Sequence, residues 1–258
     1  MTSSDAIPHS SPFRHAETDR DAAPQFVLPL VVRIEKTAPP SRTDALETAA
    51  RAVLVLLSDE RSTAEDGEWA EAVRDWQDAR IRKVVRRARG AEWRRAQTLP
   101  GITLTGRAAA AEDAPEAEGA PAAEVRVFPP VPLDGWPKEL AKLQVSGTDL
   151  DDPAPPPPPG PAGPVLWLSP EVKMSAGKAM AQAGHGAQLA WWELDDARRA
   201  AWREAGFPLA VRMASPERWG ALTRSGLPVV RDAGFTEIAP GETVVVEGRS
   251  PAVFRRRP

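Results

Sequence analysis

The chain has 258 residues, 33 basic against 36 acidic side chains and a net charge of −3, a length that accommodates one large domain or two small ones. With no cysteine it can build neither a disulfide framework nor a thiolate metal site, and two of its three histidines, His9 and His15, lie in the N-terminal tail, which leaves little for an imidazole metal cage. No apolar run reaches the ~18 residues of a membrane span and the polar N-terminus lacks a signal peptide's apolar segment, so the composition predicts a soluble cytoplasmic protein without membrane contact.

Residues 1–24 are rich in Ser, Asp, Pro and His without periodicity, which predicts a disordered tail. From Gln25 to Ile34 the apolar run reads as a strand, ended by Pro39-Pro40, and Thr43 or Asp44 is placed to cap a helix that runs to Leu57. Trp69–Arg80 reads as a second helix, Ile81–Arg86 as a strand, Glu92–Gln97 as a short helix and Ile102–Thr105 as another strand. The acidic, Ala/Pro-rich stretch 108–123 predicts a mobile loop. Glu124–Phe128 alternates as a strand, and Pro137–Leu143 makes a helical turn or two. Residues 151–164 hold five consecutive prolines, a stiff linker that sets a boundary between domains 25–150 and 165–258.

Beyond the linker the order repeats. Val165–Leu168 is a buried strand, Ser175 and Gly177 open a helix that runs to about Leu194, and Asp195 caps a short helix over Asp196–Ala205. Pro208–Met213 is a strand, Ser215-Pro216 opens a helix with a cap followed by Pro, and Gly226 stops it before the strand ending at Val230. Thr243–Glu247 closes the series. Val84–Trp93 aligns with Ala210–Trp219 without a gap, and the strand and helix of Val27–Leu57 parallel Val165–Leu194. The sequence therefore predicts an α/β protein of two tandem copies of a small three-layer domain. Each copy is a mostly four-stranded mixed sheet with helices on both faces, and the first copy has diverged.

Two stretches carry the chemistry. On the helix opened by Ser175, Lys178, Gln182 and His185 recur at i, i+4 and i+7 and so share a face. Met180, Ala183, Ala187 and Trp191 form a second, apolar stripe, and Gly184 and Gly186 beside His185 predict close backbone packing. Arg231-Asp-Ala-Gly234 then joins two strands in a loop that continues through Thr236, a common location for reactive groups. Lys178 offers positive charge near a helix N-terminus, and Asp232 can orient or deprotonate water. In the aligned helix of the first copy Asp44, Thr48 and Arg51 stand at the places of Lys178, Gln182 and His185, and no Arg-Asp-Ala-Gly loop follows. The first copy has lost the site.

Gly177-Lys178, Ala181-Gln182 and His185, followed about fifty residues later by Arg231-Asp-Ala-Gly234, Thr236, Ile238 and Pro240-Gly241, resemble the archaeal/eukaryotic-type peptidyl-tRNA hydrolase family over 164–251. The resemblance implies hydrolysis of the ester between a peptide and a tRNA 3′ end, with Lys178, Asp232 and Thr236 at the family's catalytic positions. It places Gln182, His185, Arg231 and Gly234 on the substrate side and implies no metal or organic cofactor. Family members commonly form homodimers, so the first copy is expected to serve as a built-in pseudo-partner, with a homodimer of whole chains as the alternative.

Phe235 and Glu237 stand where the family carries Arg and Gln, which removes two groups suited to RNA and adds a negative charge. This departure motivates a second expectation, a non-catalytic tRNA- or protein-binding module on a retired hydrolase fold. Charge separates the halves: residues 164–258 hold 13 basic against 10 acidic side chains, a net +3, and the remainder 20 against 26, a net −6. Arg80 to Arg95 adds eight basic residues in the first copy, which suit either a nucleic-acid backbone or a solvated face.

Overall fold

A computed structural model describes residues 24–107, 120–234 and 238–248. The tail 1–23, most of the expected loop (108–119) and the stretch 235–237, with Phe235, Thr236 and Glu237, lie outside the described residues. In chain order the first half holds β1 (Phe26–Arg33), α1 (Arg42–Ser58), α2 (Glu60–Thr63), α3 (Ala70–Asp78), β2 (Arg82–Ala88), α4 (Gly90–Gln97), β3 (Ile102–Thr105), β4 (Glu124–Val127), β5 (Val131–Pro132) and α5 (Lys138–Ala141). The second half holds β6 (Val165–Leu168), α6 (Ala176–Trp192), α7 (Asp196–Glu204), β7 (Ala210–Met213), α8 (Pro216–Thr223), β8 (Val229–Asp232) and β9 (Gly241–Glu247).

The two sheets share one topology. The first runs β2-β1-β4-β3, with β5 pairing to the start of β1, and the second runs β7-β6-β9-β8. In each, the first strand is parallel to its crossover partner (β1 to β2, β6 to β7) and the hairpin strands complete the sheet antiparallel. Both central strands are apolar almost throughout because helices cover both of their faces. Pro29 sits in a central strand where the β4 pairing, which begins at Leu30, gives way to the β5 pairing at Phe26 and Val27, so its missing N–H falls at a break in the ladder.

The repeat extends to single hydrogen bonds. Trp76 Nε1 donates to the carbonyl of Arg82 at 2.8 Å, and Trp202 Nε1 to that of Pro208 at 3.0 Å, each six residues on. The aligned Trp93 and Trp219 are both buried on the outer faces of their sheets, where separate small cores form under α4 and α5 and under α8.

The inner faces are not separate. α1 packs against α6 more extensively than any other two elements meet. α1 also reaches edge strand β7 and α6 reaches edge strand β2, a reciprocal pattern like that of an isologous dimer interface. One continuous core joins Leu28, Val53 and Val125 of the first copy to Leu166, Met180 and Val244 of the second. The layers are therefore outer helices, sheet, shared helices, sheet, outer helix. A half-buried ion pair seals one side: Glu47 of α1 accepts from Arg212 Nη1 at 2.6 Å and from the Val211 N–H of edge strand β7 at 3.1 Å.

Several local expectations change. Ser41, not Thr43 or Asp44, caps α1, its hydroxyl accepting from Asp44 N. That frees the Asp44 carboxylate for long-range contacts. Thr43 instead gives its N–H and hydroxyl to Asp152 at 2.8 and 2.7 Å. The stretch 151–164 is thus tied to α1 at its start and to Arg212 through the Pro157 carbonyl, and it joins two halves that share a core instead of holding them apart. Of the expected loop over 108–123, residues 120–123 are described, and Ala123 among them is fully buried. Trp191, placed on the apolar stripe, is half-buried and packs edge-on against Phe207 and tilted against Trp202.

Candidate active site

β6 and β8 are both antiparallel to β9, so they run parallel to each other and their carboxyl ends lie on the same side of the sheet. The chain leaves β6 there to enter α6, and leaves β8 there through Asp232. That is the side on which open α/β sheets build their sites. The start of α6 is fixed twice: Ser175 Oγ accepts from Lys178 N at 3.2 Å, and the buried Thr148 hydroxyl accepts from Gly177 N at 2.9 Å.

Lys178 and Gln182, one helical turn apart, converge on Asp232. Lys178 Nζ forms an ion pair with Oδ2, both side chains being nearly buried, and Gln182 Nε2 donates to the same oxygen at 2.7 Å. Oδ1 accepts from Gly234 N at 2.8 Å, so the carboxylate also pins its own loop. Gly234 has φ +78°, and a Cβ there would lie 2.6 Å from the Pro240 ring, so the turn that presents this amide requires glycine.

Gln182 is itself oriented. The buried Thr243 hydroxyl lies 2.9 Å from Gln182 Oε1, which leaves the amide N–H groups to face Asp232. Thr243 does this because of a bulge: Val230 pairs with Val244 but Arg231 pairs with Glu242, so Thr243 is passed over in the ladder. Val244 faces the shared core and Val245 the outer one, and strict alternation would send Thr243 outward. The bulge returns it to the inner face.

A cleft of about 700 Å³ opens beside this cluster. The second copy borders it with Lys178, Gln182, His185, Val230, Arg231 and Asp232, and the first copy with Val27, Arg80, Ile81, Arg82, Lys83 and Leu133. His185 shares the cleft but turns Nδ1 toward Lys83 Nζ, 3.2 Å away, and not toward Asp232. Burial, then the charges of Lys83 and Lys178, push its pKa well below the ordinary histidine value, so the ring is neutral. Arg231 is exposed and pairs with Glu242 at 2.9 Å on the cleft's rim.

Four expected site residues therefore meet directly: Lys178, Gln182, Asp232 and, through its backbone, Gly234. His185 and Arg231 border the same cleft, and Thr236 lies outside the described residues. Thr243 and Lys83 were not singled out from sequence. Thr243 reads as the first residue of an ordinary strand, and Lys83 as one charge in a basic run. The structure divides that run. Arg80, Arg82 and Lys83 border the cleft, while Arg86 and Arg87 are bonded to carbonyls of the 141–146 segment.

The arrangement provides a carboxylate, an ammonium group and an oriented amide at the mouth of a cleft, the set needed to activate water and to stabilise negative charge developing on oxygen. Among the described residues no three His, Asp or Glu side chains gather to hold a metal ion. No helix among them is long and apolar enough to cross a membrane. No family model matches the chain.

Proposed function

We propose that the protein hydrolyses the ester bond of peptidyl-tRNA, releasing peptide and tRNA, with Lys178, Asp232 and Thr236 as its catalytic residues. The observation that carries this reading is the convergence of Lys178 and Gln182 on Asp232 beside a cleft. Water adds to the ester carbonyl as Asp232 takes its proton. Lys178 offsets the charge that develops on the carbonyl oxygen, and the ribose oxygen leaves with a proton. Gln182, Arg231, Gly234 and His185 hold the substrate or the groups that meet it.

The test is release of tRNA from purified N-acetyl-aminoacyl-tRNA by the wild type, Lys178→Ala and Asp232→Ala. We expect turnover by the wild type and a loss of at least about 10²–10³-fold in each variant, with folding retained. tRNA bound without turnover by the wild type would instead assign the non-catalytic module that Phe235 and Glu237 suggest.

The first copy takes the place of a dimer partner in this reading, a role supported by the reciprocal packing of α1 and α6. Light scattering should then give the mass of one chain, 27.8 kDa. A mass of two chains would remove the pseudo-partner idea.

A further inference from the structure

Lys83 brings a side chain of the first copy into contact with His185, a proposed site residue of the second. It lies on edge strand β2, is 8% exposed, and meets no carboxylate among the described residues. Its Nζ donates to Gln188 Oε1 at 2.6 Å and to the Ile81 carbonyl at 3.4 Å, and lies 3.2 Å from His185 Nδ1. It also sits 4.7 Å from the centre of the Trp76 ring.

Burial pulls the Lys83 pKa well below the ordinary lysine value; against that, an ammonium group here has Gln188 Oε1, the Ile81 carbonyl and a bare His185 Nδ1 within reach of its three hydrogens. Gln188 cannot reverse its amide without setting N–H groups against Nζ. The approach is close enough to need room from α6: a Cβ at Gly184 would lie 3.0 Å from Val53 and 3.2 Å from the Lys83 stem.

An ammonium donor at Nδ1 leaves the imidazole one place for its proton. A second positive charge 3.2 Å from that ammonium is strongly disfavoured, so a charged Lys83 implies a neutral ring with its proton on Nε2. The charges that face it are Lys83 from β2 and Lys178 from α6, the latter paired with Asp232.

We infer that Lys83 of the first copy is a positioning residue for the cleft of the second, holding His185 as the Nε2–H tautomer so that the ring serves a bound ligand as a hydrogen-bond donor to a carbonyl or hydroxyl oxygen. The site is then composite, and His185 does not abstract protons. The tautomer assignment stands apart from the reaction; its effect on turnover rests on the hydrolase reading.

Long-range ¹H–¹⁵N spectra of the full chain, labelled at histidine, test this directly. Only three histidines contribute, and His185→Gln identifies the ring in question. We expect a protonated Nε2 and bare Nδ1 in the wild type, with the His185 ring titrating well below the ordinary histidine range. Lys83→Met should produce mixed tautomers and an ordinary titration. A proton on Nδ1 in the wild type, or a Lys83→Met spectrum unchanged in tautomer and titration, overturns the inference. The wild-type spectrum decides even if the variant does not fold. Lys83→Met should also lower kcat by roughly tenfold or more, with a smaller change in KM. Absence of turnover by the wild type overturns the hydrolase reading, while the spectra still decide the tautomer.

Discussion

The two copies place opposite charges at one position of one fold, and the neighbours determine what each charge can do. In the first copy Asp44 takes the place of Lys178. Its carboxylate accepts from Arg107 N at 2.8 Å and Ala123 N at 2.7 Å, with Thr48 and Arg51 on the same side. Both oxygens are occupied by backbone amides that close the ends of the β3–β4 connection, so the residue is a clasp. In the second copy the charge on the helix is an ammonium, the carboxylate has moved to the loop after β8, and both border a cleft. A carboxylate satisfied by buried amides holds a loop in place. An ammonium–carboxylate pair at a cleft keeps groups that a ligand can engage.

The largest separation between the copies should come from removing these carboxylates. Asp232→Asn keeps an acceptor in place and should bring turnover down by about 10³-fold at a stability cost of only about 1–2 kcal/mol. Asp44→Ala leaves two backbone donors unpaired, Ala123 N in the core, and should cost about 3 kcal/mol or more in urea unfolding while the folded fraction still turns over. Equal effects of the two on turnover would mean that the first copy carries chemistry too.

A symmetric pair of changes sharpens the likeness where the first pair breaks it. Trp76→Phe and Trp202→Phe each remove one indole hydrogen bond to a carbonyl and should each cost about 1–2 kcal/mol. A difference above about 1 kcal/mol between them would show that the repeat is one of shape and not of energetics.

The smallest effect is in pH. The His185 pKa is depressed in the folded protein, so below about 6.5 the unfolded chain binds a proton that the native state refuses. The stability this ring contributes is intact above that value and is lost as pH falls, with a slope of at most about 1.4 kcal/mol per pH unit. Between pH 7 and pH 5.5 the wild type should lose about 1 kcal/mol more than His185→Gln does.

The order of the elements apart from α2 and β5, the repeat, and the shared face of Lys178, Gln182 and His185 were legible in the residues, because each rests on near-neighbour physics. Helical spacing, caps such as Ser175, Asp195 and Ser215, and apolar strand runs act within a few positions of themselves. The Asp232 cluster was legible in composition but not in geometry. That Gln182 binds Asp232 depends on Thr243, and Thr243 faces inward only because β9 bulges against β8. A bulge is a property of paired strands, and Thr243–Glu247 alone reads as regular. The cap of α1 moved by two or three residues because Asp44 had stronger partners 63 and 79 positions away.

Residue pattern and spacing by themselves determined two copies of an α/β unit, one with a lysine-bearing helix and an aspartate-bearing loop and one without. Tertiary structure alone decided that the copies share a core, and that Lys83 of one reaches His185 of the other across 102 positions. The reason is physical. The packing of α1 against α6 depends on small residues and side-chain shape summed over two surfaces, and no local periodicity encodes which edge strand such a surface will meet.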